Sequence, residues 1–273
     1  HRKKTVENLK KELDYLIKTV NPELIYMVAD TFLAMSPREL DEFSEFYQSY
    51  KLPFWMNTRA ETITEASAKH LAKMNCLRFN IGIEHGNPKF RQEILKRRVS
   101  NDRTIKAFHI AAEYSNEYSC VANNIIGLPT ETPELVFDTI NLSRALPDEI
   151  ITGGAYIFIP YHGTPLRELA IEKKYIDKDL ICTESSNTSG SSLLRMPSFS
   201  SEEIDSYMKV FSFYVKFPKE RWGEIEVARN NDDEGSEKFQ ELRLEYAENY
   251  VNPAPVSQNF EKGWTKNGVE TIN

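Results

Sequence analysis

Ile81-Gly82-Ile83-Glu84-His85-Gly86-Asn87 fixes the reading of the whole chain. The alternating run from Leu77 to Ile83 has the length and character of a strand, and it stops at a carboxylate, an imidazole and a glycine. Pro88 follows at the position where proline is best tolerated in a helix, and residues 88 to 98 read as that helix. A strand that ends in polar residues and passes straight into a helix is half of a βα unit. The same succession extends both ways. Upstream, Thr64-Glu65 opens a helix to Met74, behind the strand Phe54-Trp55-Met56-Asn57. Before it, Ser36-Pro37 supplies an N-cap and a first-turn proline, with Glu39 at the capping-box position, for a helix reaching Tyr50. The run Leu24 to Ala29, ending in Asp30, reads as a strand buried on both faces, and Val6, Leu9, Leu13, Leu16, Ile17 and Val20 mark an amphipathic helix over 5 to 20. Downstream come a helix over 102 to 114, a strand from Cys120 to Leu128, a helix from Pro133 to Leu146 and a strand from Ala155 to Ile159.

Strands and helices alternating in this way are joined by right-handed crossovers, which force a parallel sheet with helices outside. Such a sheet curls into a barrel or stays doubly wound. Each strand here ends in a polar or special residue: Asp30, Asn57 with Arg59, Glu84, Asn124 and Tyr161. That distribution favours a barrel, whose site is built round the rim of C-terminal strand ends, over an open sheet with one switch point. No GxGxxG or GxxxxGK[ST] occurs, so the sequence offers no dinucleotide or P-loop site. The regularity lapses after Ile176, dividing the chain into a barrel part, 1–176, and a C-terminal helical appendage and tail, 177–273. Residues 183 to 192 are small and polar and read as a surface loop or disordered segment. Ser201-Glu202-Glu203 starts a helix whose stripe of Tyr207, Val210, Phe211 and Tyr214 reads as a packing surface. A charged helix covers 234 to 250, and the tail from 252 reads as loosely held.

With 40% hydrophobic and 27% charged residues and a net charge of -7, the composition is that of a soluble globular protein. No apolar run approaches the ~18 residues of a membrane span. His1-Arg2-Lys3-Lys4 leads into an amphipathic helix rather than a signal-peptide core, so a cytoplasmic location with no membrane partner is expected. The acidic balance argues against an extended nucleic-acid surface. Cys76, Cys120 and Cys182 stand far apart with no CxxC spacing, which fits free thiols in a reducing compartment and offers no metal-ligand set.

Three strings carry a resemblance. Ile81 to Asn87, followed by Phe90-Arg91 and Leu95-Lys96-Arg97, resembles the fourth-strand segment of radical S-adenosylmethionine (SAM) enzymes. Asn124-Ile125-Ile126-Gly127-Leu128-Pro129-Thr130-Glu131-Thr132 is similar to their fifth strand and turn, and Ile159-Pro160-Tyr161-His162-Gly163-Thr164-Pro165-Leu166 to their sixth. With Ala29-Asp30-Thr31-Phe32 after the second strand, these stand in the family's order from residue 2 to 176. Two departures stand out. Members hold a [4Fe–4S] cluster on a CxxxCxxC loop after the first strand, and no such motif occurs here; Ala29 also stands where many relatives have a second Asp. Since the chain opens on what resembles the helix after that loop, the expected fold is a partial (β/α) barrel of radical SAM type with its first strand absent. The cluster ligands would then lie outside this chain, which alone would be inactive.

For the intact protein the resemblance implies SAM held on the open iron of the cluster and cleaved reductively to a 5′-deoxyadenosyl radical that abstracts hydrogen from a small-molecule substrate. It also implies an electron donor such as flavodoxin or ferredoxin. Within the superfamily the likeness is to proteins that carry an N-terminal cobalamin-binding domain, which adds cobalamin as a cofactor and methyl transfer, rearrangement or ring formation as the reaction.

On this reading Glu84 accepts hydrogen bonds from a SAM ribose hydroxyl or ammonium; a salt bridge to Arg59 or Arg97 accounts for it as well. Arg59 and Arg97 are candidate clamps for the SAM carboxylate, or structural arginines. Gly82 permits close backbone approach or an unusual φ. Asn124 and Ile125 fall where relatives receive adenine, with Gly127 admitting the backbone beside the ring, although a plain buried strand explains Ile125 equally. Asp30 reaches SAM or substrate, or caps the next segment. His85 and His162 offer themselves as metal ligands or proton carriers, but no third ligand stands at metal spacing. His162, with Tyr161, is the better substrate contact because its loop sits on the rim.

Two other classes compete. One is a cluster-less βα-barrel serving as a binding or scaffold protein. The other is a hydrolytic or aldolase-type barrel using Glu84 and His85, against which stands the lack of a strand-end lysine or a nucleophile elbow. A first strand would pair along Leu24 to Ala29, so an unpaired edge and self-association are expected there.

Overall fold

The computed structural model describes residues 4–182 and 191–250. Its strands are β1 (Ile25–Met27), β2 (Phe54–Thr58), β3 (Cys76–Glu84), β4 (Ser119–Ile126) and β5 (Ile151–Ile157), all parallel and side by side in chain order. Helices α1 (Val6–Val20), α2 (Pro37–Tyr47), α3 (Glu65–Lys73), α4 (Pro88–Glu93), α5 (Asn101–Ala112) and α6 (Pro133–Arg144) fill the crossovers. Beyond β5 lie α7 (Pro165–Glu172), α8 (Ser201–Lys216), α9 (Trp222–Arg229) and α10 (Asp233–Tyr250). The expected parallel α/β sheet with outer helices is therefore what forms.

Local signals set the helix starts. Ser36 accepts from the Glu39 N–H while the Glu39 carboxylate takes the Ser36 N–H, a complete capping box, and Ser200 with Glu203 repeats it at α8. On the sheet, Phe54, Met56, Phe79, Ile81, Cys120 and Ala122 are buried beneath the helices in one core. A second core joins Ile126, Ala155 and Ile157 to Val136 and Ile140 of α6 and to Ile204, Val210, Phe211 and Tyr214 of α8. The aromatic stripe thus packs as expected, and α8 to α10 share one core with the last two strands. Arg144 pins α8 from α6: its Nη1 donates to the carbonyls of Tyr214, Val215 and Phe217 at 2.7, 2.9 and 2.7 Å.

Three elements depart most from expectation. β1 is not buried on both faces; it is short and lies at the edge, with Tyr26 46% and Val28 84% exposed. α4 ends at Glu93, because the segment after it turns through Lys96 (φ 55°) to bring Arg97 back to β3. β5 begins at Ile151, upstream of Ala155, and runs through Gly153-Gly154, a pair of the kind that ordinarily marks a turn. The loop expected over 183–190 and the tail from 252 lie outside the described residues.

Candidate functional site

The upper end of β3 shapes the site. Pairing with β4 slips by a residue between Gly82 and Glu84, and Glu84 closes the strand in the left-handed region at φ 65°. Its carboxylate folds back over Gly82, where an added Cβ would sit 2.3 Å from Oε1. The glycine is needed for that space and not for its own φ. Arg97 meets both: Nη2 lies 3.1 Å from Glu84 Oε1 and Nη1 donates to the Gly82 carbonyl at 3.3 Å. Burial raises the Glu84 pKa, opposed by the positive charges of Arg97 and Arg59. Arg59, at the end of β2, is 42% exposed and 3.9 Å from Glu61. Glu84 and Arg97, but neither Arg59 nor Gly82, border a cleft of about 500 Å³ whose walls include Leu95, Ile125, Tyr156, Phe158 and Tyr161. A carboxylate and a guanidinium at one side of an apolar cleft of this size suit a ligand with a flat apolar part and charged or hydroxylated groups.

Several candidates stand elsewhere. Asn124 is fully buried and points away from the cleft: its amide donates to the Gly154 carbonyl at 3.3 Å and its oxygen accepts from Ser143 of α6 at 3.4 Å. Neighbours along a strand face opposite ways, so Ile125 on the cleft excludes Asn124 from it. Gly127, at φ 75°, serves α8, because a Cβ there would lie 2.9 Å from Ile204 Cγ2. Asp30 is exposed on the turn after β1 and has no hydrogen bond or ion pair among the described residues. His162 is exposed and lies outside the cleft wall, whereas Tyr161, 48% exposed, forms part of it.

His85 is neither on the rim nor free. It is fully buried, stacked on Phe90 at 4.3 Å between ring centroids, with Nδ1 accepting the Asn87 N–H at 3.0 Å. That leaves the ring proton on Nε2, 3.1 Å from Glu131 Oε1 but off the line of a good hydrogen bond. Glu131 Oε2 accepts the Leu128 N–H at 3.0 Å, so the pair ties the end of β3 to the turn after β4. Sequence reading passed over Glu131 and Tyr156. A lone aromatic between Ala155 and Ile157 was the available signal for Tyr156.

Cys76 and Cys120 are buried at the opposite ends of β3 and β4 from the cleft, and no group of three His, Cys, Asp or Glu among the described residues could hold a metal. These residues therefore supply no cluster site, while the cleft's donor set fits SAM.

A family model described as the Radical SAM superfamily matches residues 1–143. No curated protein matches the chain. Among solved structures, the radical S-adenosylmethionine methyltransferase TsrM from Kitasatospora setae, with cobalamin and [4Fe-4S] cluster bound, superposes with a TM-score of 0.56 at 13% identity, over 90% of this chain and 57% of that one. The cobalamin-dependent S-adenosylmethionine radical enzyme OxsB, with aqua-cobalamin and S-adenosylmethionine bound, gives 0.54 at 12% identity, over 88% of this chain and 41% of that one. At such identities the likeness is one of fold, and this chain spans little more than half of either structure at most.

Proposed function

The chain belongs to the radical SAM superfamily, and from that premise we propose that it is the SAM-binding core of an enzyme of cobalamin-assisted methyl transfer, with the cleft beside Glu84 as its SAM site. The observation that carries this reading is the Glu84–Arg97 pair at the mouth of an apolar cleft on the C-terminal strand ends. The family implies a [4Fe–4S] cluster beside SAM, supplying the electron for its reductive cleavage. Cobalamin enters from the fold likeness to TsrM and OxsB.

This chain's own residues bind and orient. The Glu84 carboxylate accepts from the ribose hydroxyls or the ammonium group, and Arg97, already fixed by the Gly82 carbonyl, offers its remaining donors to the ligand carboxylate. Leu95, Ile125 and Tyr156 take the face of the adenine and keep water off it. Titration calorimetry with SAM on the chain tests this. Glu84→Ala should weaken binding roughly ten- to a hundredfold, the worth of a charge-assisted hydrogen bond of about 1.5 to 3 kcal/mol. Unchanged affinity in the variant, or no binding by the parent chain, would sink the assignment. Anaerobic iron and sulfide loading of the same chain should give no stable cluster absorption, since its cysteines lack the spacing. A stable cluster would show that ligands are present within it.

A further inference from the structure

The inner face of the sheet carries a second constellation below the cleft. Tyr26, Trp55 and Arg78 are register partners across β1, β2 and β3. Because Phe54, Met56, Phe79 and Ile81 alongside them are buried under the helices, alternation turns these three, with Asn57 and Asn80, to the inside of the curve. Branched apolar side chains ordinarily fill that position in a βα barrel. Here the Tyr26 ring lies 5.0 Å from that of Trp55, and the Arg78 guanidinium carbon lies 5.7 Å from the Trp55 ring centre. One row nearer the rim, Asn57 donates to the Tyr26 hydroxyl at 2.8 Å and Asn80 donates to the Asn57 oxygen at 3.0 Å.

The network is incomplete. Trp55 Nε1, Arg78 Nε and Asn80 Oδ1 are buried with no hydrogen-bond partner among the described residues. Buried polar atoms are seldom left unpaired, and their clustering points to something that completes them. Arg78 is the sharpest case. Arg91, Arg103, Arg144 and Arg167 each donate to backbone carbonyls, and Arg97 pairs with Glu84. Arg78 meets an indole face but neither a carboxylate nor a carbonyl among the described residues. A half-buried guanidinium without a counter-charge, beside an unused indole N–H, is a receptor for an anion.

We propose that Arg78, Trp55 and Asn80 form an anion-binding floor inside the sheet, which takes the carboxylate or phosphate of a small organic molecule. The guanidinium and the indole N–H donate to the anion, and the Asn80 Oδ1 accepts from a donor group of the ligand next to it. Arg78 and Asn80 stand earlier on β3 than Glu84, which lines the cleft, so the floor lies further down the same strand from the SAM site. That this ligand is the substrate is the one part resting on the reading above.

The test follows the indole N–H resonance of Trp55 in protein carrying isotopically labelled tryptophan, assigned by its loss in Trp55→Phe, with Trp222 as internal control. Benzoate or phenyl phosphate should move it saturably and neutral benzamide should not; the anion that saturates at lower concentration distinguishes carboxylate from phosphate. Arg78→Met should weaken the response about tenfold or more, and Arg78→Lys should keep part of it. SAM binding, weakened in Glu84→Ala, should be unchanged in both, so failure at either site is read separately. An equal response to benzamide, a response retained in Arg78→Met, or no movement with either anion overturns the proposal. Should Arg78→Met not fold, the benzamide comparison and Arg78→Lys decide the matter.

Discussion

Glu131 is a carboxylate with no exposure, held by the Leu128 N–H and facing His85, and burial raises its pKa against the opposing pull of those partners. The folded state therefore holds its proton to higher pH than the unfolded chain. Between the two pKa values the native state binds more protons, so stability falls as pH rises upward from the ordinary glutamate range. Glu84 has a raised pKa too and adds a slope of the same sign. Urea unfolding across that pH window should accordingly show a shallower decline for Glu131→Gln and a still shallower one for the double variant with Glu84→Gln. A decline unchanged in Glu131→Gln would mean that Glu131 is ionised in both states. At this scale the site is only partly legible from the residues. Glu84 was legible because it ends an alternating run, and its ion pair with Arg97 was among the readings open from the start. Asn124 was not, because its polarity suggested a ligand group while its place in the strand alternation sends it toward Ser143. Glu131 was hidden because a glutamate in a Pro-Thr turn looks like surface.

Among the elements, α8 depends on a partner far away in sequence. Its last-turn carbonyls have no intrahelical donors, and Arg144 of α6 satisfies the carbonyls of Tyr214, Val215 and Phe217 with one nitrogen while its guanidinium lies 5.7 Å from the Trp222 ring centre. Arg144→Met keeps much of the stem and removes those bonds, so urea unfolding should show a loss of about 1 to 3 kcal/mol. A change within error would mean that water replaces the guanidinium at no cost. The βα alternation and the helix caps were readable because each is encoded within a few residues, by periodicity or by Ser-Pro and Ser-x-x-Glu patterns. The helix α9 was not: Gly223 interrupts a short charged segment, and only the burial of Ile225 and Ala228 in the second core makes it a helix. The overlong α4 has the opposite cause, since the apolar and basic residues 94 to 97 look helical but are recruited to the cleft wall.

For the molecule as a whole, the open side of the sheet sets its behaviour in solution. β1 pairs only with β2 among the described residues, and since the Ile25 N–H is taken by the Pro53 carbonyl, the Tyr26 N–H faces away from the sheet. Tyr26 and Val28 are exposed apolar side chains at β1, and α1, the helix that leads into it, exposes Tyr15, Leu16 and Val20. An uncovered strand edge flanked by apolar surface is a template for another strand, and a second copy of the chain presents the same edge. The net charge of -7 opposes that approach at low salt, and screening should relieve it. Sedimentation velocity should therefore show a weight-average coefficient that climbs with protein concentration, and more steeply as salt is raised. Val28→Lys places a charge where Val28 is 84% exposed, beside the edge, so the variant should fold normally and shift the distribution toward monomer. A clean monomer for the parent chain over a wide concentration range would mean that three paired residues are too short a template for self-pairing. Association unaffected by Val28→Lys would move the contact to another face.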